Sequence, residues 1–350
     1  MAKGGQKNFI SSVKRYISKN YRGWLYVSPV VLGVLIFTLY PMISSLYDSF
    51  FSYNVLKPRV WNNFKNYIYP FTRDWEKFSK SLEVTGIYTV VHVTLSVTLS
   101  FALALMLNRE LKGIKIIRTL FYLPVMIPVV ISGLMWRNVL DVEYGFLNSF
   151  LTQKLHFEPL TLLSSPKTSL VTVISLNFFS LGSSLLLWLS SMKGISAELY
   201  EYADIEGANV WTKIFKITVP MCSPMIFYNL IMGIITSLQT FNSVYVLTNG
   251  TAGPKDSLLF FVTNIYVTAF GKTPQIGYAS ALSWILFVII GLLTTVVFKT
   301  SRWVFYNEEA CYEKENKSGG YRFVRNRCGD VPYLFVSVRV YRFEKPYGRR

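Results

Sequence analysis

The chain has 350 residues, of which 51% are hydrophobic and only 16% carry charge. Soluble domains usually have about a quarter of their residues charged, so this composition argues against an ordinary soluble globular protein. The net charge of +17 would also suit a nucleic-acid-binding protein, and the location of the basic residues decides between these two classes.

Ahead of the first apolar stretch, hydrophobic residues recur at helical spacing with basic residues between them. The hydrophobic positions are Phe9, Ile10, Val13, Tyr16, Ile17 and Tyr21, and the basic ones are Lys14, Arg15, Lys19 and Arg22. The pattern predicts a short amphipathic helix on the lipid surface within residues 1–23. A disordered basic tail is the alternative.

Six stretches of about twenty residues contain almost no charge, and about twenty helical residues are needed to cross a bilayer core. Backbone polar groups cannot stay unpaired in lipid, so these stretches predict helices and not strands. The predicted spans are 24–47, 84–107, 119–140, 169–192, 225–247 and 279–298. The first is too long for a signal peptide and lacks a cleavage site, so we predict a retained anchor. The predicted fold class is an all-α integral membrane protein.

The basic residues fall mainly on one side of this predicted topology. Six spans place both termini on the same side as the second and fourth connections, and that side holds 25 Lys and Arg residues against 10 on the other. The positive-inside rule therefore predicts that both termini are cytoplasmic. The positive charge reflects topology, and we expect no nucleic acid among the partners.

The sequence shows no chemistry typical of an enzyme. It lacks a G-x-x-x-x-G-K-[ST] loop, so we predict no ATP site in this chain. Neither the histidines nor the cysteines Cys222, Cys311 and Cys328 have metal-ligand spacing. His92 lies inside a predicted span, and we interpret it as a polar contact to a neighbouring helix, with a cavity-lining role as the alternative. We therefore expect no catalytic residue, metal or cofactor.

The fourth, fifth and sixth predicted spans contain no ionisable residue of the kind that marks ion pathways. A proton-coupled carrier commonly depends on a buried carboxylate, so the absence of one suggests that energy comes from a separate ATPase. An ion-coupled secondary carrier is the alternative, because backbone carbonyls can bind sodium.

The connection between the fourth and fifth spans, residues 196–220, carries the most specific pattern. Ser196 followed by Glu198 suits a helix start. Gly207 then interrupts the helix, since glycine reaches positive φ at little cost. A second amphipathic stretch follows and Pro220 is expected to end it. The segment predicts a cytoplasmic helix–turn–helix that presents acidic and aromatic groups to a partner.

From Glu201 this segment reads E-Y-A-D-I-E-G-A and continues to I-T-V-P. Up to one spacing position, it resembles the coupling loop of ABC-importer permeases. The residues at or beside the motif positions are Glu201, Ala203, Glu206, Gly207, Ala208, Trp211, Phe215 and Pro220. Tyr202 and Glu206 stand where alanine and aspartate are usual, and both keep the helix and the charge.

Other segments resemble the sugar-importer branch of these permeases, over roughly residues 20 to 306. They include F-T-L-Y-P ending at Pro41, R-T-L-F-Y-L-P ending at Pro124, G-Y-A-S-A ending at Ala281 and R-W-V-F-Y ending at Tyr306. Residues 24–306 are therefore predicted to form the six-helix domain. The basic residues 307–350 do not fit, and we predict an extension without function, with a regulatory element as the alternative.

The resemblance implies uptake of a sugar or oligosaccharide across the cell membrane from an extracytoplasmic binding protein. It also implies a second, different permease subunit and a cytoplasmic ABC ATPase dimer that hydrolyses the ATP. Glu201 would pair with a basic group on the ATPase, Gly207 would set the bend, and Trp211 would be buried on docking together with Phe215.

A sugar site needs hydrogen-bonding side chains and an aromatic platform, and the fourth and fifth spans offer both. The candidates are Asn177, Phe178, Phe179 and Ser180 in the fourth span, and Ser237, Gln239, Thr240 and Phe241 in the fifth. Ordinary polar contacts between helices are the alternative for each.

Overall fold

The computed structural model describes residues 21–54, 57–109 and 112–305. The predicted surface helix lies almost wholly outside these residues, and the predicted extension 307–350 lies outside them entirely, with Cys311 and Cys328. Within the described residues the chain is almost entirely helical, and the strands form one two-stranded sheet.

The longer elements are named here in chain order. They are α1 (Tyr21–Val34), α2 (Tyr40–Asp48), β1 (Phe51–Asn54), β2 (Lys57–Trp61), α3 (Lys65–Ile68), α4 (Trp75–Leu107), α5 (Ile114–Tyr122), α6 (Val129–Val139), α7 (Phe146–Leu155), α8 (Ser169–Asn177), α9 (Gly182–Lys193), α10 (Ala197–Ile205), α11 (Val210–Lys213), α12 (Val219–Met221), α13 (Ser223–Leu238), α14 (Asn242–Leu247), α15 (Phe261–Phe270) and α16 (Ile276–Lys299). Short 3-10 turns cover Tyr69–Phe71, Leu123–Met126, Phe178–Ser180, Pro254–Asp256 and Ser301–Trp303.

Three continuous helices are long and apolar enough to cross a membrane: Leu25–Asp48, α4 and α16. Three bent pairs are apolar enough when each is taken as one span. These are α5 with α6, bent by 94°, α8 with α9, bent by 46°, and Val210–Met221 with α13, bent by 65°. The described residues therefore contain up to six spans, which confirms the predicted fold class.

The third, fourth and fifth spans were predicted as continuous helices, and this prediction was wrong because each of them is broken. The third breaks between Pro124 and Pro128, because proline lacks the N–H that a continuing helix needs. The fourth breaks at the 3-10 turn Phe178–Ser180. The fifth, predicted to reach residue 247, ends at Leu238 and resumes as α14. Apolar composition continues through each break, so hydropathy does not reveal it.

Two π-helical segments, Leu35–Leu39 and Ile214–Thr218, each end two residues before a proline. In a regular α-helix the proline ring would clash with the carbonyl four residues before it. The wider π turn places that carbonyl differently, so the backbone hydrogen bonds continue up to the proline. The helix therefore runs through Pro220 to Met221. The prediction that Pro220 ends it was wrong by this one residue.

One end of the bundle carries the β1–β2 hairpin, which the sequence analysis did not predict. Nδ2 of Asn66 donates to the carbonyls of Ser49 and Phe51, each at 2.9 Å. The same Phe51 carbonyl lies 2.0 Å from where a Cβ on Gly277 would stand, so only glycine allows this approach. The hairpin end thus fastens the first span to the last.

The opposite end, called here the loop end, carries α10 to α12. A buried cluster around Trp188 joins α4, α9 and the start of α13 there, and the Trp188 indole N–H donates to Ser100 Oγ at 2.9 Å. The backbone N–H of Phe305 donates to Ser223 Oγ at 2.8 Å. The end of the last span is thereby tied to the beginning of α13.

Candidate functional site

Two features of the bundle are candidates for a functional site: an exposed loop that carries acidic side chains, and a cavity lined by polar side chains. The first is the predicted helix–turn–helix, which is present. Helix α10 follows Ser196 and ends at Ile205, with Glu206 as its C-cap, and Gly207 has φ +72°, as predicted. Asn209 then begins α11, with its side-chain oxygen accepting from the Thr212 N–H at 2.8 Å. The turn is therefore fixed by a glycine conformation and a helix cap.

Local contacts hold this loop together and seat it on the bundle. Lys213 forms an ion pair with Asp204 across the turn. The Tyr200 and Thr218 hydroxyls share a hydrogen bond of 2.9 Å. The Tyr200 ring, with Ile217, also packs against the buried Trp188 cluster. The loop therefore has one rigid face against the bundle and one face to the outside.

The outward face carries the acidic and aromatic residues of the motif, and we call it the loop surface: Glu201, Glu206, Trp211 and Phe215, all exposed. Trp211 is 68% exposed and Phe215 63%, and their rings stack with centroids 6.0 Å apart. Large aromatic side chains that stay uncovered beside carboxylates form a surface suited to a protein partner.

The remaining motif residues are less exposed. Ala203 and Ala208 are partly buried, and the Ala208 N–H donates to the Ala203 carbonyl at 2.8 Å to close the end of α10. Pro220 is partly buried in the stretch that leads to α13. These three residues shape the loop and contribute little to its outward face.

The second feature is a cavity of about 390 Å³ between α4, the broken pair α8–α9, and α13. Its polar lining consists of His92, Ser96, Ser100, Asn177, Ser183, Ser184, Tyr228, Asn229 and Thr236. No Asp, Glu, Lys or Arg is among the described residues that line it. The volume falls within the range of about 300–1,000 Å³ typical of small-molecule sites.

The candidates from the predicted fourth span gather around the break between α8 and α9. Asn177 lines the cavity. The Phe178 ring stacks on His92, with centroids 6.2 Å apart, and the Phe179 ring packs on Trp136 at 4.7 Å. The backbone of Ser180 lies in the 3-10 turn, and its side chain lies outside the described residues.

The candidates from the predicted fifth span lie at the end of α13 and just beyond it. Ser237 is buried and its hydroxyl lies 3.2 Å from His92 Nδ1. Gln239 is exposed, and Thr240 donates to the Thr236 carbonyl at 3.2 Å. The Phe241 ring packs against Tyr245 and Tyr266. None of these four lines the cavity.

Helix α4 contributes a wall that the candidate list omitted. His92, Ser96 and Ser100 lie four residues apart, which places them on one face of the helix. That spacing of polar residues inside an apolar span was the available signal. His92 both contacts Ser237 of a neighbouring helix and lines the cavity, so the interpretation as a helix contact and the alternative of a cavity-lining role both hold.

Comparisons with known proteins agree on one family. A family model described as "Binding-protein-dependent transport system inner membrane component" matches residues 96–304. The probable ABC transporter permease protein YesP of Bacillus subtilis is 37% identical over 292 residues, covering 83% of this chain and 94% of that protein. The lactose transport system permease protein LacF of Rhizobium radiobacter is 29% identical, covering 83% of this chain and 97% of that protein.

The fold has also been seen in a solved structure. A bacterial ABC transporter that imports the acidic polysaccharide alginate contains a chain that superposes with a TM-score of 0.73. The sequences are 21% identical, and the match covers 84% of this chain and 100% of that one. A likeness at this identity shows a shared fold.

Proposed function

The chain belongs to the family of inner membrane components of binding-protein-dependent transport systems, and we propose that it is the permease subunit of an ATP-driven importer of a sugar or oligosaccharide. Relatives that align over most of its length are named for lactose, for trehalose and maltose, and for arabinooligosaccharides. The observation that carries the proposal is the exposed loop surface on a chain of this family.

The loop surface is the proposed docking site for a cytoplasmic ABC ATPase. Glu201 would meet a basic group, and the stacked Trp211 and Phe215 rings would be buried by the contact. Aromatic side chains at the centre of an interface commonly contribute much of the binding energy. ATP is hydrolysed in that partner, and we assign no catalytic step or cofactor to this chain.

The cavity is the proposed sugar site, completed by a second, different permease subunit. Its hydroxyl and amide groups can donate to and accept from sugar hydroxyls, and the described part of the lining contains no carboxylate or ammonium group that would compete for them. An extracytoplasmic binding protein would deliver the sugar at the hairpin end. Asn177 is the predicted candidate that this arrangement favours most.

The proposed topology places both termini and the loop end in the cytoplasm. The proposed membrane domain is residues 24–306, with the coupling loop at 196–220, and residues 1–23 and 307–350 are the basic segments before and after it in the sequence. An ion-coupled carrier is not favoured, because the family is defined by transport that depends on a binding protein. Such a carrier would transport sugar when reconstituted alone, whereas we expect none without the ATPase.

A charge reversal on the loop surface tests the docking role. Glu201→Lys places a like charge against the proposed basic partner group, so we expect loss of sugar uptake and weaker ATPase association at unchanged membrane abundance. Uptake is measured in proteoliposomes that contain the binding protein, both permeases and the ATPase. Glu158→Lys, the same change on an exposed residue outside the loop, is the control. Normal uptake by Glu201→Lys would contradict the docking role.

A further inference from the structure

His92 is held between aromatic rings in the wall of the cavity. The Tyr88 ring lies parallel to the imidazole at 7°, with centroids 5.0 Å apart, and the Phe178 ring lies at 13° and 6.2 Å. Aromatic faces attract a cation within about 6 Å. The stacking that fixes the imidazole in place is therefore also compatible with a protonated ring.

The hydrogen bonding of His92 leaves one ring nitrogen available. Nδ1 lies 3.2 Å from the Ser237 hydroxyl, whereas no described residue forms a hydrogen bond with Nε2. In the protonated ring both nitrogens are donors, and the Ser237 oxygen can accept from one of them. The Nε2–H would then remain for a ligand in the cavity.

His92 is also the one side chain in the described lining that can gain a positive charge by protonation. The remaining polar lining consists of hydroxyl and amide groups, and it contains no carboxylate to compete for a positive charge. An anionic ligand entering such a cavity must leave water, which is costly unless it finds a charged partner. The lining thus offers an anion one partner and no repelling group.

We propose that His92 makes the cavity selective for sugars that carry a carboxylate, such as uronic acids, by donating an imidazolium hydrogen bond from Nε2 to that group. The inference rests on the proposed sugar-import function and narrows its substrate class. Charge-assisted hydrogen bonds are about twice as strong as neutral ones, so the acidic sugar gains more from this contact than a neutral sugar does.

The groups that face His92 determine how the selectivity varies with pH. Tyr88 comes from its own helix, Phe178 from the turn after α8 and Ser237 from α13, and Tyr228 is the other titratable residue in the lining. Histidine is the side chain whose charge ordinarily changes between about pH 5 and 8. The preference for an acidic sugar should therefore follow the imidazole alone and increase as the pH falls.

The test measures the binding of two matched disaccharides to the complex of both permeases with the ATPase. The binding protein is left out, because its own selectivity would mask the preference of the cavity for an acidic sugar. The probes are α-1,4-digalacturonate and uncharged α-1,4-galactobiose, in calorimetry at about pH 5 and about pH 8, the limits of the range in which an imidazole ordinarily changes its charge. The variants are His92→Gln, which keeps a polar group, and His92→Phe, which keeps a stacked ring.

We expect the intact complex to bind digalacturonate about tenfold more tightly than galactobiose at the lower pH, the effect of one charge-assisted hydrogen bond, and to lose this preference at the higher pH. Both variants should abolish the preference, so that the ratio of the two affinities no longer changes with pH. A preference that survives in the variants, or equal affinities at both pH values, overturns the inference while leaving sugar import intact. If neither disaccharide binds and no sugar is taken up, the proposed function fails as well.

Discussion

The loop surface and the cavity are built in opposite ways. The loop surface comes from one continuous segment whose turn, cap and ion pair join residues at most nine positions apart, and its important side chains are exposed. The cavity is assembled from α4, α8–α9 and α13, and its walls depend on close packing between distant helices. A change in the loop should therefore affect coupling alone, whereas a change beside the cavity should affect the fold and transport together.

The largest effect is expected from a methyl group added at the start of α9, where this cavity helix packs against the break between α5 and α6. A Cβ on Gly182 would lie 2.5 Å from the Phe121 carbonyl oxygen and 2.9 Å from Val125 Cγ2. Overpacking of this kind costs about 1–3 kcal/mol, so Gly182→Ala should lower both the thermal stability of the purified chain and its uptake activity.

Gly86→Ala is the matched control, since a Cβ there meets nothing within 4 Å. We expect this variant to keep its unfolding temperature and its uptake. If Gly182→Ala behaved like Gly86→Ala, the packing at the broken helices would not constrain the cavity, and the contrast between the two regions would be lost.

A smaller and more selective effect is expected in the turn of the loop. Positive φ costs a residue with a Cβ roughly 1–2 kcal/mol, and Gly207 has φ +72°. Gly207→Val should therefore reduce sugar-stimulated ATP hydrolysis more than Gly207→Ala, and Gly207→Asn should reduce it least, because asparagine tolerates this region. The unfolding temperature of the bundle should stay the same in all three.

An unchanged rate of ATP hydrolysis in Gly207→Val would show that the bend of the loop is not needed for coupling. A lower unfolding temperature in a Gly207 variant would contradict the contrast between the loop and the cavity, since it would show that the loop contributes to the stability of the bundle.

The ion pair between Asp204 and Lys213 should contribute less than the turn. The Asp204 side chain is 63% exposed, and exposed pairs are worth about 0–1 kcal/mol. Lys213→Met should therefore lower coupled ATP hydrolysis by less than about fivefold, with a difference that shrinks at high salt. Lys216→Met, on an exposed neighbour, is the control. A complete loss of coupling in Lys213→Met alone would mean that Lys213 contacts the ATPase directly.

No effect is expected from removal of the basic extension. Truncation after Asn307 leaves both the loop surface and the cavity intact, so insertion, partner assembly and sugar uptake should match those of the full chain. A loss of uptake at unchanged membrane abundance would identify residues 308–350 as a working regulatory element.

The same contrast explains what the sequence could predict. Ser196, Gly207 and the helices on either side were predicted correctly because capping and positive φ depend on neighbouring residues. The breaks at Phe178–Ser180 and after Leu238 were missed because the composition stays apolar across them. The cavity could not be found, since His92 and Thr236 meet only through the packing of α4 against α13. The β1–β2 hairpin was missed as well, because its strands are short.

The hydrogen bond from the Phe305 backbone N–H to Ser223 Oγ has a practical consequence for spectroscopy. It holds the end of the described chain beside the residues that join the loop to α13, so a fluorophore attached just after Asn307 in a truncated chain would be anchored close to that junction. Paired with a second dye on the ATPase, it would act as a reporter of nucleotide-dependent movement. Neither the loop surface nor the cavity would have to be altered to install it.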